Sequence, residues 1–173
     1  MKALVQRVRY ARITIDAKEQ REIGPGMLVL FGCAEGDELS LCDKLADKVA
    51  NLRIFSDEAG KMNLSALDLG LSCMVVSQFT LLADTKKGNR PSFTAAAKPP
   101  FATEAYERFL ALMRTVRQVS CFSARCARMA SQRSAGSITA ALPASSYTML
   151  QFVARKPSRR ISIFLASTPR YPS

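Results

Sequence analysis

The sequence predicts a mixed α/β domain, and three observations carry that expectation. Short apolar and β-branched runs are bounded by turn signals at Gly24-Pro25-Gly26 and Asp57-Glu58-Ala59-Gly60. Two longer segments, 37–52 and 102–117, instead repeat apolar residues three and four apart. The length, 173 residues, suits one self-sufficient core with an appendage.

Taken in order, Ala3 to Val8 alternates moderately and reads as a strand, and Ala11 to Asp16 as a second, rich in Ile and Thr. After the Gly24–Gly26 turn, Met27 to Cys33 is apolar enough for a buried strand. A helix is expected from about Asp37 to Leu52, with Leu41, Leu45, Val49 and Leu52 on one face. Glu35, Asp37 and Glu38 at its start complement the helix dipole. Arg53 to Phe55 reads as a short strand, and Met74 to Leu82 as a long one. In that strand Gln78 and Thr80 share a face by alternation. A charged loop, Asp84 to Pro91, contains Gly88. The second helix, 102–117, gathers Tyr106, Phe109, Leu110 and Met113 on one face. Beyond Gln118 Ser, Ala and Arg dominate and acids vanish, with Ile161 to Leu165 as a candidate strand between prolines.

Composition removes several chemistries. Histidine is absent, so Ser-His-Asp and Cys-His mechanisms are excluded. The five cysteines include no Cys-x-x-Cys pair, which argues against a zinc site, and their odd, scattered placement fits a reducing cytosol. No cofactor or metal is expected. The N-terminus lacks the continuous apolar core of a secretory signal, and the longest apolar stretch near it, Met27 to Phe31, is too short to span a bilayer. A cytoplasmic protein is therefore expected. Residues 1–117 hold 17 Lys/Arg and all 14 Asp/Glu, whereas residues 118–173 hold 8 Lys/Arg and no acid. The basic excess is either a solvated surface or an attraction for a polyanion such as RNA.

Four motifs stand in a specific order: Gln6-Arg7-Val8, Gly60-Lys61-Met62-Asn63-Leu64-Ser65, Ser77-Gln78-Phe79-Thr80-Leu81 and Arg90-Pro91-Ser92-Phe93-Thr94. Together they resemble the D-aminoacyl-tRNA deacylases, also called D-tyrosyl-tRNA deacylases, over residues 1 to about 117. The resemblance implies a three-layer α/β/β fold, a homodimer, and hydrolysis of the ester joining a D-amino acid to the 3′ end of tRNA. No membrane partner is implied. The expected organisation is a deacylase-like domain over residues 1–142 and an irregular basic tail over 143–173.

An aminoacyl ester is already a reactive acyl donor. Its hydrolysis needs a held carbonyl, a stabilised oxyanion and a placed water, which backbone N–H groups and hydroxyls can supply. From spacing alone, Gln78 and Thr80 are two polar residues on an exposed strand face. With the motif around them, Ser77, Gln78 and Thr80 become the candidate catalytic residues. Thr80 is open to two roles, nucleophile or hydrogen-bond donor to the ester. A threonine nucleophile needs an activating base and the motif holds none, so positioning is preferred, with the ribose 2′-hydroxyl assisting attack.

Arg7 reads as a surface arginine. The resemblance instead implies that it supports the partner subunit's active-site loop. Phe93 reads as a core aromatic, whereas the resemblance implies a place near the aminoacyl-adenosine, where a base can stack. Phe79 and Met62 join the candidate substrate-binding residues on the same motifs. Lys86, Lys87 and Arg90 are either a solvated loop or contacts to tRNA phosphates.

One part of the pattern departs. The family carries a C-terminal Asn-x-Gly-Pro-x-Thr signature whose cis Gly-Pro turn is implied to reject L-amino acids. Here the nearest segment is Gly136-Ser137-Ile138-Thr139, without the proline. A non-proline cis bond costs about 2.5–4 kcal/mol, against about 0.5–1 for X-Pro. Two further readings accompany the deacylase: a catalytically weak nucleic-acid-binding homologue using the basic tail, and the product of a gene whose reading frame shifts near residue 118.

Overall fold

The computed structural model describes residues 1–15, 19–86, 88–115, 121–123, 137–141, 148–153 and 162–167. The main sheet has six strands in the order β11-β10-β1-β4-β7-β8: β11 Ser162–Ser167, β10 Thr148–Val153, β1 Lys2–Val8, β4 Gly26–Gly32, β7 Ser72–Ser77 and β8 Cys121–Ser123. β11, β10, β1 and β4 pair antiparallel in succession, while β4, β7 and β8 run parallel. A second sheet has the order β3-β2-β9, with β2 Tyr10–Ile15, β3 Glu19–Ile23 and β9 Ser137–Ala141. A short hairpin joins β5 Phe55–Ser56 and β6 Met62–Leu64.

Two helices, α1 Ser40–Ala50 and α2 Phe101–Thr115, cover one face of the main sheet. Their apolar stripes, Leu41, Leu45 and Val49 on α1 and Tyr106, Phe109 and Met113 on α2, pack onto Ala3, Val5, Val29, Phe31 and Val75. Phe31 stacks on Phe109 with ring centroids 4.7 Å apart, and the Tyr106 hydroxyl donates to the Val75 carbonyl at 3.1 Å. Burying a large apolar side chain contributes about 1.5–3 kcal/mol, so this stripe is the main source of stability. The opposite sheet face carries a smaller core of Leu28, Met74 and Val76 against Ala11, Ile13 and Ile23 from the second sheet. The result is the three-layer α/β/β arrangement. Among the described residues no helix is long and apolar enough to cross a membrane.

Several local expectations change. Helix α1 starts at Ser40, not Asp37, because the Asp37 carboxylate is occupied with the Ala34 amide at 2.7 Å and with the Met1 ammonium. The strand expected at Arg53–Phe55 lies at Phe55–Ser56. Strand β3 has no counterpart among the expected elements, since Glu19-Gln20-Arg21-Glu22-Ile23 is polar and is ordered by its ladder with β2. The strand expected to reach Leu82 stops at Ser77 and gives way to a 3-10 turn, η1, at Phe79–Leu82. After Gln118, where Ile161 to Leu165 is the one expected strand, four strands form, β8 to β11, the last of them at Ser162–Ser167. Among them, β10 pairs with β1 from Lys2↔Val153 to Gln6↔Met149, so residues 148–153 and 162–167 extend the main sheet.

Candidate active site

The site grows from the carboxyl ends of the parallel pair β4 and β7, the position where open α/β sheets present their loops to ligands. The ladder ends at Phe31↔Ser77, and the Gln78 amide donates to the Phe31 carbonyl at 2.6 Å. Gln78 remains extended, with φ −146° and ψ 94°. The chain then turns into η1, where the Leu81 amide donates to Gln78 O at 3.4 Å and the Ala83 amide to Thr80 O at 3.1 Å.

The cause of the turn lies on the neighbouring strand. A Cβ at Gly32 would stand 2.8 Å from Gln78 O and 2.7 Å from Leu82 Cδ2. Only a residue without a side chain lets η1 fold back across the end of β4. Leu82 is buried there, while Phe79 and Thr80 face solvent.

The loop after η1 returns to the same end of the sheet. Asp84 and Ser92 exchange two backbone hydrogen bonds of 2.8 Å each, closing the loop that carries Lys86 and Arg90. The Asp84 carboxylate accepts from the Lys86 amide at 2.9 Å. The Ser92 and Thr94 hydroxyls lie 3.2 Å apart. Residues 95–97 are then fastened to the end of β4, with the Glu35 amide donating to Ala95 O at 3.0 Å and the Ala97 amide to Cys33 O at 2.9 Å. This tether brings Phe93 against Phe79, edge to face at 5.4 Å with an interplanar angle of 77°. Both rings are solvent-exposed, 54% for Phe79 and 37% for Phe93, so the pair is an open aromatic surface rather than core.

A family described as D-Tyr-tRNA(Tyr) deacylase matches residues 4–134 of the sequence. The chain belongs to this D-Tyr-tRNA(Tyr) deacylase family. Among curated relatives it is 53% identical over 111 residues to a D-aminoacyl-tRNA deacylase of Ruegeria pomeroyi, covering 64% of this chain and 77% of that protein. It is 54% identical over 114 residues to one of Dehalococcoides mccartyi, covering 66% and 74%. Among solved structures it is similar to a c-Myc DNA unwinding element binding protein, with TM-score 0.74, 29% identity and coverage of 90% of this chain and 99% of the other. The fold is also shared with a probable eukaryotic D-amino acid tRNA deacylase, at TM-score 0.65 and 11% identity over 80% of this chain and 92% of that one.

Against the deacylase motifs, the structure brings Ser77, Gln78, Phe79, Thr80 and Phe93 to one end of the sheet. It corrects how Gln78 and Thr80 come together: they belong to an extended residue and a 3-10 turn, not to one face of a strand. Arg7 is also corrected, because it is 8% exposed and not a surface residue. It donates from Nη1 to Ile54 O at 2.8 Å, and burial lowers its pKa from the ordinary value. Arg7 pairs with Met27 and Met27 with Cys73, four residues before Ser77, so it stands about 13 Å back along the strands.

Met62 is 49% exposed on the β5–β6 hairpin. Within its motif Ser65 has a structural duty: the Asp68 carboxylate accepts from the Ser65 amide and hydroxyl at 2.8 and 2.7 Å. These bonds hold the Asp68 carboxyl below its usual range. Lys87 and Gly136 fall outside the described residues, and Ser137 opens β9 opposite Thr14. Sequence reasoning missed Gly32 and Lys2. A lone glycine closing an apolar strand is itself a sign of close backbone approach, whereas nothing local marked Lys2.

Proposed function

We propose that this chain hydrolyses the ester bond of D-aminoacyl-tRNA, releasing the free D-amino acid and tRNA as a quality-control step in translation. Family membership and about half identity to curated D-aminoacyl-tRNA deacylases support the reaction. The observation that carries the site is the Ser77-Gln78-Phe79-Thr80 segment turned out from the end of β7 beside the exposed Phe79–Phe93 pair.

The chemistry follows from what this segment offers. Ser77 and Thr80 bring hydroxyls, Gln78 an amide, and Phe79 and Thr80 at the start of η1 backbone N–H groups that take no carbonyl of the turn. These groups orient an ester carbonyl and stabilise its oxyanion without transferring a proton. With no histidine in the chain, the substrate's own 2′-hydroxyl relays the proton, accepting one from the attacking water as it passes its own to the departing 3′ oxygen. The Phe79 and Phe93 faces and Met62 bind the aminoacyl-adenosine end. Lys86, Lys87 and Arg90 on the closed loop meet the phosphates that precede it.

The enzyme acts as a cytoplasmic homodimer in this reading. The resemblance gives Arg7 the role of supporting the partner subunit's active-site loop, in keeping with its place about 13 Å back along the strands from Ser77 of its own chain. Residues 1–142 form the catalytic unit, with 143–173 an appended basic segment whose strands β10 and β11 lengthen the main sheet. In sequence, Gly136 and Ser137 are the nearest counterpart of the family's chirality-selecting Gly-Pro, and Ser137 opens β9 opposite Thr14.

The test is release of D-tyrosine from D-Tyr-tRNA by the purified chain, with Thr80→Ala alongside. Loss of one oxyanion donor lowers the rate by on the order of 10²-fold with little change in substrate binding. No release above the uncatalysed rate refutes the function. An unchanged rate in Thr80→Ala removes that residue from the mechanism.

A further inference from the structure

We propose that Lys2 is a positioning residue for the catalytic turn η1: its ammonium clamps the carboxyl end of that turn and thereby fixes Phe79 and Thr80. The proposal rests on the deacylase reading of the site and adds a residue that none of the four motifs contains.

Lys2 on β1, Gly32 at the end of β4 and Gln78 just past β7 form a row. Lys2 is opposite Gly32 in the β1–β4 ladder, and Gly32 follows the Phe31↔Ser77 pair, which puts it beside Gln78. From the first position of this row, Lys2 Nζ donates to Leu81 O at 2.9 Å, a part-buried contact between residues 79 apart in sequence. Gly32 leaves the path open, since any side chain there would strike Gln78 O and Leu82.

The accepting carbonyl has a definite need. Inside η1, Gln78 O and Thr80 O take the amides of Leu81 and Ala83. Leu81 O lies at the carboxyl end, where a helix has no amide of its own to offer and where a cation is favoured. A bond from a charged donor is shorter and about twice as strong as a neutral one. Lys2 therefore adds a polar hold at the carboxyl end of η1, where Gly32 only leaves room for Leu82, and the turn is fixed at both ends: Gln78 by Phe31 O, Leu81 by Lys2.

The clamp acts through another group, so its signature is a fall in turnover rather than in affinity. Lys2→Met keeps the aliphatic stem and removes the donor. It is expected to lower kcat on D-Tyr-tRNA by on the order of 10-fold, because sub-ångström misplacement of reacting groups is costly. KM is expected to stay within about twofold, and Lys2→Arg, which keeps a charged donor for Leu81 O, to restore part of kcat. Independently of catalysis, hydrogen–deuterium exchange of a peptide spanning residues 78–84 is expected to quicken in Lys2→Met and to return toward the parent rate in Lys2→Arg.

Unchanged exchange in Lys2→Met overturns the proposal whether or not the protein is active. So does an unchanged kcat in an active enzyme. A raised KM with a reduced salt dependence and unaltered kcat would make Lys2 a phosphate contact instead, and would also overturn it. An inactive parent chain that still shows the exchange effect refutes the deacylase function while leaving the clamp in place.

Discussion

Adding one methyl group at position 32 tests the construction of the site most directly. Gly32→Ala places a Cβ 2.8 Å from Gln78 O and 2.7 Å from Leu82 Cδ2. Ordinary carbon contacts begin near 3.5 Å, so both neighbours must retreat by roughly 0.7 Å. The Leu82 methyl can rotate only within a buried environment, and the Gln78 oxygen is backbone, held through the Gln78 amide to Phe31 O. Overpacking of this kind costs about 1–3 kcal/mol. For a chain of this size each kcal/mol lowers Tm by about 2–4 °C, so a fall of roughly 2–12 °C is expected. Displacing the backbone that carries Gln78 and Thr80 by most of an ångström is expected to cost on the order of 10-fold or more in kcat. The matched control is Gly24→Ala, where nothing lies within 4 Å, and its effect on both quantities is expected to be small. Differential scanning fluorimetry and single-turnover deacylation of D-Tyr-tRNA measure the two effects. A Gly32→Ala protein with parental kcat would refute the claim that this glycine sets the catalytic turn.

Three further outcomes are expected. Burial raises the Cys42 thiol from an ordinary value of 9.0 to about 11, so above pH 9 the unfolded chain releases this proton while the folded one keeps it; stability should decline from pH 9 to about 11. Urea midpoints at pH 8 and pH 10.5 should differ less in Cys42→Ala, and an equal decline in both proteins would discount the thiol. Replacing Lys86 and Arg90 by Ala should flatten the plot of log affinity for tRNA against log salt by about one unit for each phosphate no longer neutralised, and a parental slope would place the loop away from the phosphates. Gly136-Ser137 lacks the proline that stands second in the Gly-Pro pair of the family's C-terminal signature. The ratio of rates on D-Tyr-tRNA and L-Tyr-tRNA should therefore be low and should rise in Ser137→Pro, a change tolerated at the first residue of a strand; a strong D preference in the parent would count against this.

The parts of the fold that local pattern can encode were legible. Leu41, Leu45 and Val49, and likewise Tyr106, Phe109 and Met113, repeat at helical spacing and are buried as that spacing requires. The apolar run from Met27 is a central strand, covered on both faces. What escaped is decided by distant partners. β3 is polar and is a strand only because β2 pairs with it. The end of β7 at Ser77 is set by the end of β4, and alternation along Ser77-Gln78-Phe79-Thr80 carries no trace of Gly32. The start of α1 is displaced because Asp37 binds Ala34 and the chain terminus. For the site, motifs identified which residues gather, whereas the 3-10 turn and the Phe79–Phe93 contact required coordinates.

The pairing of β1 on both edges has a consequence for synthesis. One edge is satisfied early, by β4 at Gly26–Gly32, but the other waits for β10 at Thr148–Val153. At about 5–20 residues per second, the ribosome needs roughly 6–24 s to extend the chain from the end of β4 to the end of β10. Throughout that interval a nascent sheet exposes the unpaired N–H and C=O groups of β1, a template for strands of other chains. Yield in the cell should therefore depend on elongation rate and on holdase chaperones more than the stability of the finished α/β core would suggest. Slowing translation between α2 and β10 lengthens the vulnerable interval without altering a single residue of the product.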